Sequence, residues 1–325
     1  MSPAPRPQIS VVIPVYRSAK ILPTLIEQLG EVLAQHVSTY EVILVDDASP
    51  DDTWGRIKTI CASNPSVKAI GLRMNAGQHN AIIAGLNHAA GDVIVCMDDD
   101  LQHSPADVPA LYAKIVEGYD VCYTIYENRR HARWKILGSQ FNNLVATILL
   151  KKPLNLYLSS FKAFHREIKD EIVRYKGPFP YLDGLILATT RNIATVPIVH
   201  QPRFEDKTNF SVRKLVRLWL HMATNFSVLP LRIASLLGIL FSVAGFSLTV
   251  LVVFVKLFGH DMYIPVGWTS LVMAVLIVGG VQLLAIGVIG EYLGRAYLLL
   301  NNQSQFLIRR KENFADSSAA RTRDE

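Results

Sequence analysis

A chain of 325 residues, half of them hydrophobic, with a formal net charge of +6, has room for one or two domains. Cys61, Cys96 and Cys122 lie in apolar contexts without metal-ligand spacing, so they read as reduced core thiols of a cytoplasmic domain. The sequence has no interleaved aromatic and basic motif, which excludes nucleic acid as a partner; the positive charge reads as membrane-surface charge plus an anionic substrate.

The N-terminal "MSPAPRPQIS" has no apolar core, so no secretory leader is expected. From residue 9 the chain alternates two patterns. "ISVVIPVY" (9–16), "EVILV" (41–45), "VKAIGL" (67–72), "DVIVCM" (92–97) and "DVCYTI" (120–125) are continuous apolar runs, as central strands of a parallel sheet require. Helical patterns occupy 19–36, 52–62, 77–90 and 105–117 between them. This alternation predicts an α/β fold built on an open doubly wound sheet, whose ligands bind beyond the carboxyl ends of the strands.

Polar clusters follow four of those runs: "PVYRSA", "DDASPDDT", "RMNAGQHN" and "DDDLQH". Each alone suits a helix cap or a turn. Four on one edge predict one composite site. In the last cluster Asp98 and Asp100 fall on one side of an extended segment, and Asp99 points elsewhere. Two carboxylates with the neutral oxygen of Gln102 make a hard-oxygen site for Mg²⁺ or Mn²⁺ with positions left open for a diphosphate.

Further along, 160–175 reads as a helix and 195–204 as a short edge strand limited by its prolines. Residues 212–226 place Trp219 and aliphatic side chains at helical spacing with basic residues mostly opposite, which predicts an interfacial helix. Two uncharged runs follow, about 233–255 and 266–290, joined by "KLFGHDMYIP". Each is long enough to cross a bilayer core of about 30 Å, so a two-helix transmembrane hairpin is expected. Basic residues flank it on both sides, Arg213, Lys214, Arg217 and Arg232 before and Arg295, Arg309, Arg310 and Lys311 after. They place both termini, and with them the N-terminal domain, in the cytoplasm, at the cytoplasmic membrane. Ala234, Gly238 and Ser242 put small residues on one face of the first span, which allows packing within a protomer or in a homo-oligomer. The boundaries are a domain at 1–211, an interfacial helix at 212–230, the hairpin at 231–300 and a cytoplasmic tail at 301–325.

The ordered set "VVIPVY", "VDDASPDDT", "RMNAGQHNAIIAGLNHAAGDVIVCMDDDLQHSP" and "NRRHARWKILGSQFN" resembles the family 2 glycosyltransferases of the GT-A fold. With the hairpin and "GEYLGR" (290–295) it is similar to the polyprenyl-phosphate glycosyltransferases, over about residues 8 to 300. The resemblance implies that Asp98, Asp100 and Gln102 bind the metal and that Pro14, Tyr16, Asp46 and Asp47 line a nucleotide pocket, with Asp99 beside them. It also implies that Arg73, Asn75 and Gln78 hold nucleotide or sugar and that Arg129, Lys135, Ser139 and Arg203 face phosphates. The implied reaction is inverting transfer of one sugar from a nucleotide-sugar donor to polyprenyl (undecaprenyl) phosphate, within a membrane lipid surface. The chain departs from the family where Arg17-Ser18 replaces an Asn-Glu pair, where "RFEDKTNF" (203–210) keeps only the arginine of its motif, and where "NLYLSS" lacks an acid. Asp183, in "PYLDGLIL", is a candidate catalytic replacement for that acid; a helix cap is the other reading. A processive polysaccharide synthase calls for more spans and a Gln-x-x-Arg-Trp motif, whereas Arg133-Trp134 is preceded by no such Gln. A non-catalytic lipid-binding scaffold on a degenerate domain is the remaining alternative.

Overall fold

The computed structural model describes residues 6–126, 147, 152–153, 156–177, 180–198, 229–258, 267–301 and 304–314. The chain divides into two compact units, residues 1–211 with 302–325, and residues 212–301.

In the first unit, β1 (Ile9–Val15), β2 (Tyr40–Asp46), β3 (Val67–Leu72) and β4 (Val93–Cys96) run parallel in the order β3-β2-β1-β4. Every residue of β1 is buried, which is why its run is apolar without alternation. The connecting helices are α1 (Leu22–His36), α2 (Thr53–Ser63) and α3 (Gln78–Leu86). Leu22, Leu25, Leu29 and Leu33 form the buried stripe of α1, each contributing about 1.5–3 kcal/mol by leaving water. On the other face α3 packs so near the sheet that a Cβ on Gly85 would lie 2.4 Å from Val12 Cγ1.

The sheet is mixed rather than wholly parallel, and here the sequence expectation is corrected. After α4 (Val108–Val116) the next strand, β5 (Val121–Tyr126), does not pair with β4. A short strand, β6 (Lys162–His165), inserts between them, antiparallel to both. The segment 160–175 is therefore a strand followed by a helix, α5 (Arg166–Arg174), instead of one helix. A further helix, α6 (Leu182–Thr189), precedes β7 (Ile193–Ile198), which pairs parallel with β5 at one edge and exposes Pro197 there. At the other edge β8 (Ile308–Glu312), within what the sequence reading gave as a tail without assigned structure, lies antiparallel on β3.

The amino-terminal edge of the strands is held by Glu41. Its buried carboxylate accepts from Ser10 Oγ at 2.5 Å, Lys68 Nζ at 2.6 Å and Ala90 N at 2.7 Å, and Ser10 Oγ in turn accepts from Gly91 N at 2.7 Å. One carboxylate thus ties β1, β2, β3 and the start of β4 together.

The second unit contains two long helices that touch each other, α7 (Leu229–Phe258) and α8 (Trp268–Leu300). The first extends past both expected limits of 233–255, and the second starts two residues inside the expected 266–290 and runs ten residues beyond its end. Large apolar side chains stand out from them, among them Phe246 and Leu283, each 72% exposed. Among the described residues, Ile277–Leu300 is long and apolar enough to cross a membrane. The expected interfacial helix at 212–226 lies outside the described residues.

Candidate active site

The order β3-β2-β1-β4 reverses direction of winding at β1, and a crevice opens there beyond the carboxyl ends. It is an open cavity of about 380 Å³. Pro14, Val15 and Tyr16 come to it from the end of β1 and Asp47 from the end of β2. Asn75, Gly77 and Gln78 follow β3, and Asp98, Asp99 and Asp100 follow β4. Three of the four turns carry a non-glycine residue with left-handed backbone: Arg17 (φ 61°), Ala48 (φ 54°) and Leu101 (φ 55°). Such residues cost of order 1–3 kcal/mol each and persist where the surroundings over-determine them.

The turn after β2 divides its two aspartates. Asp47 turns into the cavity, where Oδ1 accepts from Ala76 N at 2.7 Å and Oδ2 from Gly77 N at 2.9 Å. Gly77 is at φ 88°, so only glycine presents this amide without strain. Asn75 Nδ2 donates to the Asp47 carbonyl at 3.1 Å. Burial pushes the Asp47 carboxyl above the usual range, and the two amides oppose that shift. Asp46 does not line the cavity. It is fully buried, and its Oδ1 accepts from Ser49 N at 3.0 Å.

The three aspartates after β4 do not alternate, because the strand ends at Cys96 and the chain bends through them. All three reach the cavity wall, half-buried. Asp98 Oδ1 accepts from Gln78 Nε2 at 2.7 Å, and Asp100 Oδ1 from Gln102 N at 3.1 Å. Asp99 Oδ2 accepts from Tyr16 N at 3.2 Å and from the Ser18 hydroxyl. Burial raises Asp98, against a lowering hydrogen bond from Ser160, and burial pushes Asp99 up to about 6. Carboxylates that are desolvated side by side suit a cation.

Their oxygens fit Mg²⁺ or Mn²⁺, and the set is an open one. Among the described residues no three His, Cys, Asp or Glu side chains gather around one point for an ion. Two carboxylates leave the rest of a coordination shell to a ligand such as a diphosphate. Gln102 meets Asp100 through its backbone and is not part of the cavity wall.

Asp183 lies apart from the cavity wall. It is buried on the first turn of α6, ion-paired with Lys162 of β6, and accepts from Tyr123 OH at 3.0 Å. Nearby, the ring of His79 meets Tyr181 edge-on at 5.3 Å, and burial holds the imidazole below its usual range. Arg73 is exposed beside the site, and its amide donates to Leu307 O at 2.7 Å. Arg129, Lys135, Ser139 and Arg203 lie outside the described residues.

Sequence reasoning missed Ser18, Ala76, Gly77, Ser160 and Lys162 as parts of this construction. Ser18 had a signal, since it stands in place of the glutamate in the Asn-Glu pair that the resembled family carries after "PVY".

The family model described as Glycosyl transferase family 2 matches residues 10–173, which span β1 to most of α5 and hold the cavity residues. Among solved structures, glucosyl-3-phosphoglycerate synthase from Mycobacterium tuberculosis, in complex with Mn²⁺, uridine diphosphate and phosphoglyceric acid, is similar at 21% identity and a TM-score of 0.51. That match covers 67% of this chain and 76% of the other. A second structure of that synthase, with Mn²⁺ and uridine-diphosphate-glucose, shows 21% identity and a TM-score of 0.48, covering 67% and 77%. The first of these likenesses supports a shared α/β, GT-A, Rossmann-like fold with a mixed sheet.

Proposed function

The chain belongs to glycosyl transferase family 2 and is a glycosyltransferase, and from that premise we propose that it moves a single sugar from a nucleotide-sugar donor to polyprenyl phosphate at the cytoplasmic face of the inner membrane. The observation that carries the donor half is the row of Asp98, Asp99 and Asp100 on the wall of the cavity at the sheet's switch point. The acceptor half is supported by α7 and α8, whose apolar side chains stand exposed as in no ordinary soluble surface. Read as two spans of a hairpin, they keep the enzyme beside a lipid acceptor, with both termini in the cytoplasm.

In this reading Asp47, fixed by two backbone amides, presents an acceptor oxygen to an N–H of the nucleotide base. Asp98 and Asp100 hold a divalent cation, as Mn²⁺ accompanies uridine diphosphate in the similar synthase. When bound, that cation supplies positive charge to a leaving diphosphate. Gln78 orients the Asp98 carboxylate, and Ser18 with the Tyr16 amide holds Asp99. The acceptor phosphate has a second pKa of about 6 and is largely ionised at neutral pH. A strong base is therefore not required, which agrees with the placement of Asp183 in an ion pair off the cavity wall.

The test is a screen of nucleotide sugars, with Mn²⁺, against undecaprenyl phosphate in detergent and, separately, 3-phosphoglycerate. Labelled sugar in the lipid fraction is the expected result. Transfer to phosphoglycerate alone would remove the lipid acceptor and keep the transferase.

A further inference from the structure

The chain returns after α8 to complete the sheet. On β8, Arg310 stands opposite Gly71 of β3. Asn313 then fastens the end of the strand by donating to Cys61 O at 2.7 Å and Val67 O at 2.8 Å. None of the cavity residues comes from this segment, yet one of its side chains reaches the turn that shapes the cavity.

The path of Arg310 depends on Gly71. A Cβ at Gly71 would lie 2.8 Å from Arg310 Cγ and 3.1 Å from the Trp54 ring. Through that gap the guanidinium stacks on Trp54 at 4.0 Å from the ring centre, and its Nη2 comes to 3.6 Å from Asp46 Oδ2. That oxygen is buried and, among the described residues, has no hydrogen-bond partner at normal geometry. Asp46 uses its other oxygen to hold Ser49 N, closing the turn in which Ala48 is left-handed and Asp47 is aimed at the cavity. A buried carboxylate that loses a facing cation either takes up a proton or moves toward water. Either change loosens the Asp46–Ser49 bond and with it the direction of Asp47.

Resting on the reading of the cavity as a donor site, we propose that Arg310 is a positioning residue for the nucleotide. The carboxy-terminal strand is then part of the binding site: it sets the charge that keeps the 46–49 turn in its binding shape.

The experiment uses the full chain in detergent with Mn²⁺, and titrates uridine, guanosine, adenosine, cytidine and thymidine diphosphates by calorimetry. For the diphosphate that wild type binds best, Arg310→Met should weaken binding at least fivefold, and Arg310→Lys should recover most of it by restoring the charge. Gly71→Ala, which keeps every charge but displaces Arg310, should weaken binding to a similar extent. Arg309→Met, on the exposed side of the same strand, should bind as wild type. Thermal melts run alongside. If Arg310→Met melts earlier yet binds with wild-type affinity when folded, β8 is only a structural staple and the proposal is wrong. If wild type binds none of the five diphosphates, the donor-site reading fails first and the proposal with it.

Discussion

The two ends of the central strands both bury carboxylates, and they treat them in opposite ways. At the amino-terminal edge Glu41 is saturated by a lysine, a hydroxyl and an amide. At the carboxyl edge Asp98 and Asp99 are met by an amide side chain, hydroxyls and a backbone amide, and burial raises both. Charge matched within the fold contributes to stability. Carboxylates gathered on one wall and raised by burial suit a charge that arrives with a ligand. The difference separates a structural carboxylate from a functional one.

The sharpest way to break this comparison is to neutralise one member of each group. Asp100→Asn should reduce sugar transfer by at least a thousandfold, about 4 kcal/mol of transition-state stabilisation, while the melting temperature stays level or rises. Excess EDTA on wild type should do the same. Undiminished transfer in either case would remove the cation from the site. Glu41→Ala should do the reverse. Stranding Lys68 and two other donors costs about 3 kcal/mol of stability by urea unfolding, and the molecules that remain folded should turn over normally.

A third substitution probes the backbone beneath the functional carboxylates. Gly77→Ala forces a side chain onto a positive-φ, extended backbone that glycine alone adopts readily, at a cost of about 1–3 kcal/mol, and should weaken donor binding through Asp47 by a similar amount. Measured binding that is unchanged despite lower stability would show that the amide clamp on Asp47 does not matter for the nucleotide. The smallest effect concerns His79. Because burial lowers its folded pKa, the unfolded chain binds the extra proton first, and stability falls as the pH drops below about 6.5. His79→Asn should flatten the melting temperature between pH 6.5 and 5 relative to wild type; an identical slope in both would refute the shift.

Much of the first unit was legible because β1 to β5 are buried on both faces and so read as unbroken apolar runs. What escaped did so for physical reasons. The four residues of β6 are followed at once by the strongly amphipathic "REIKDEIVR", whose helical period covers the strand. The strand "IRRKE" has no apolar pattern, because an edge strand is joined to its neighbour by backbone hydrogen bonds rather than by its side chains. At the site, residue types pointed to the right turns but not to the direction of each side chain. Asp46 and Asp47 are identical neighbours, and Ala48 at positive φ helps decide which one faces the cavity. Asp98 to Asp100 looked extended, and the bend ending at Leu101 brings all three to one wall.

The position of β8 in the chain has a consequence for biosynthesis. The edge of β3 that it covers emerges from the ribosome long before residues 308–312 do, with both long helices made in between. At roughly 5–20 residues per second, the edge stays open for about 10–50 s of every synthesis. An uncovered strand edge is a template for pairing with other chains. The nascent domain therefore passes through an aggregation-prone interval that ends only when β8 is delivered, and a ribosome that stalls within α8 leaves this edge of the sheet open however well the preceding strands have folded.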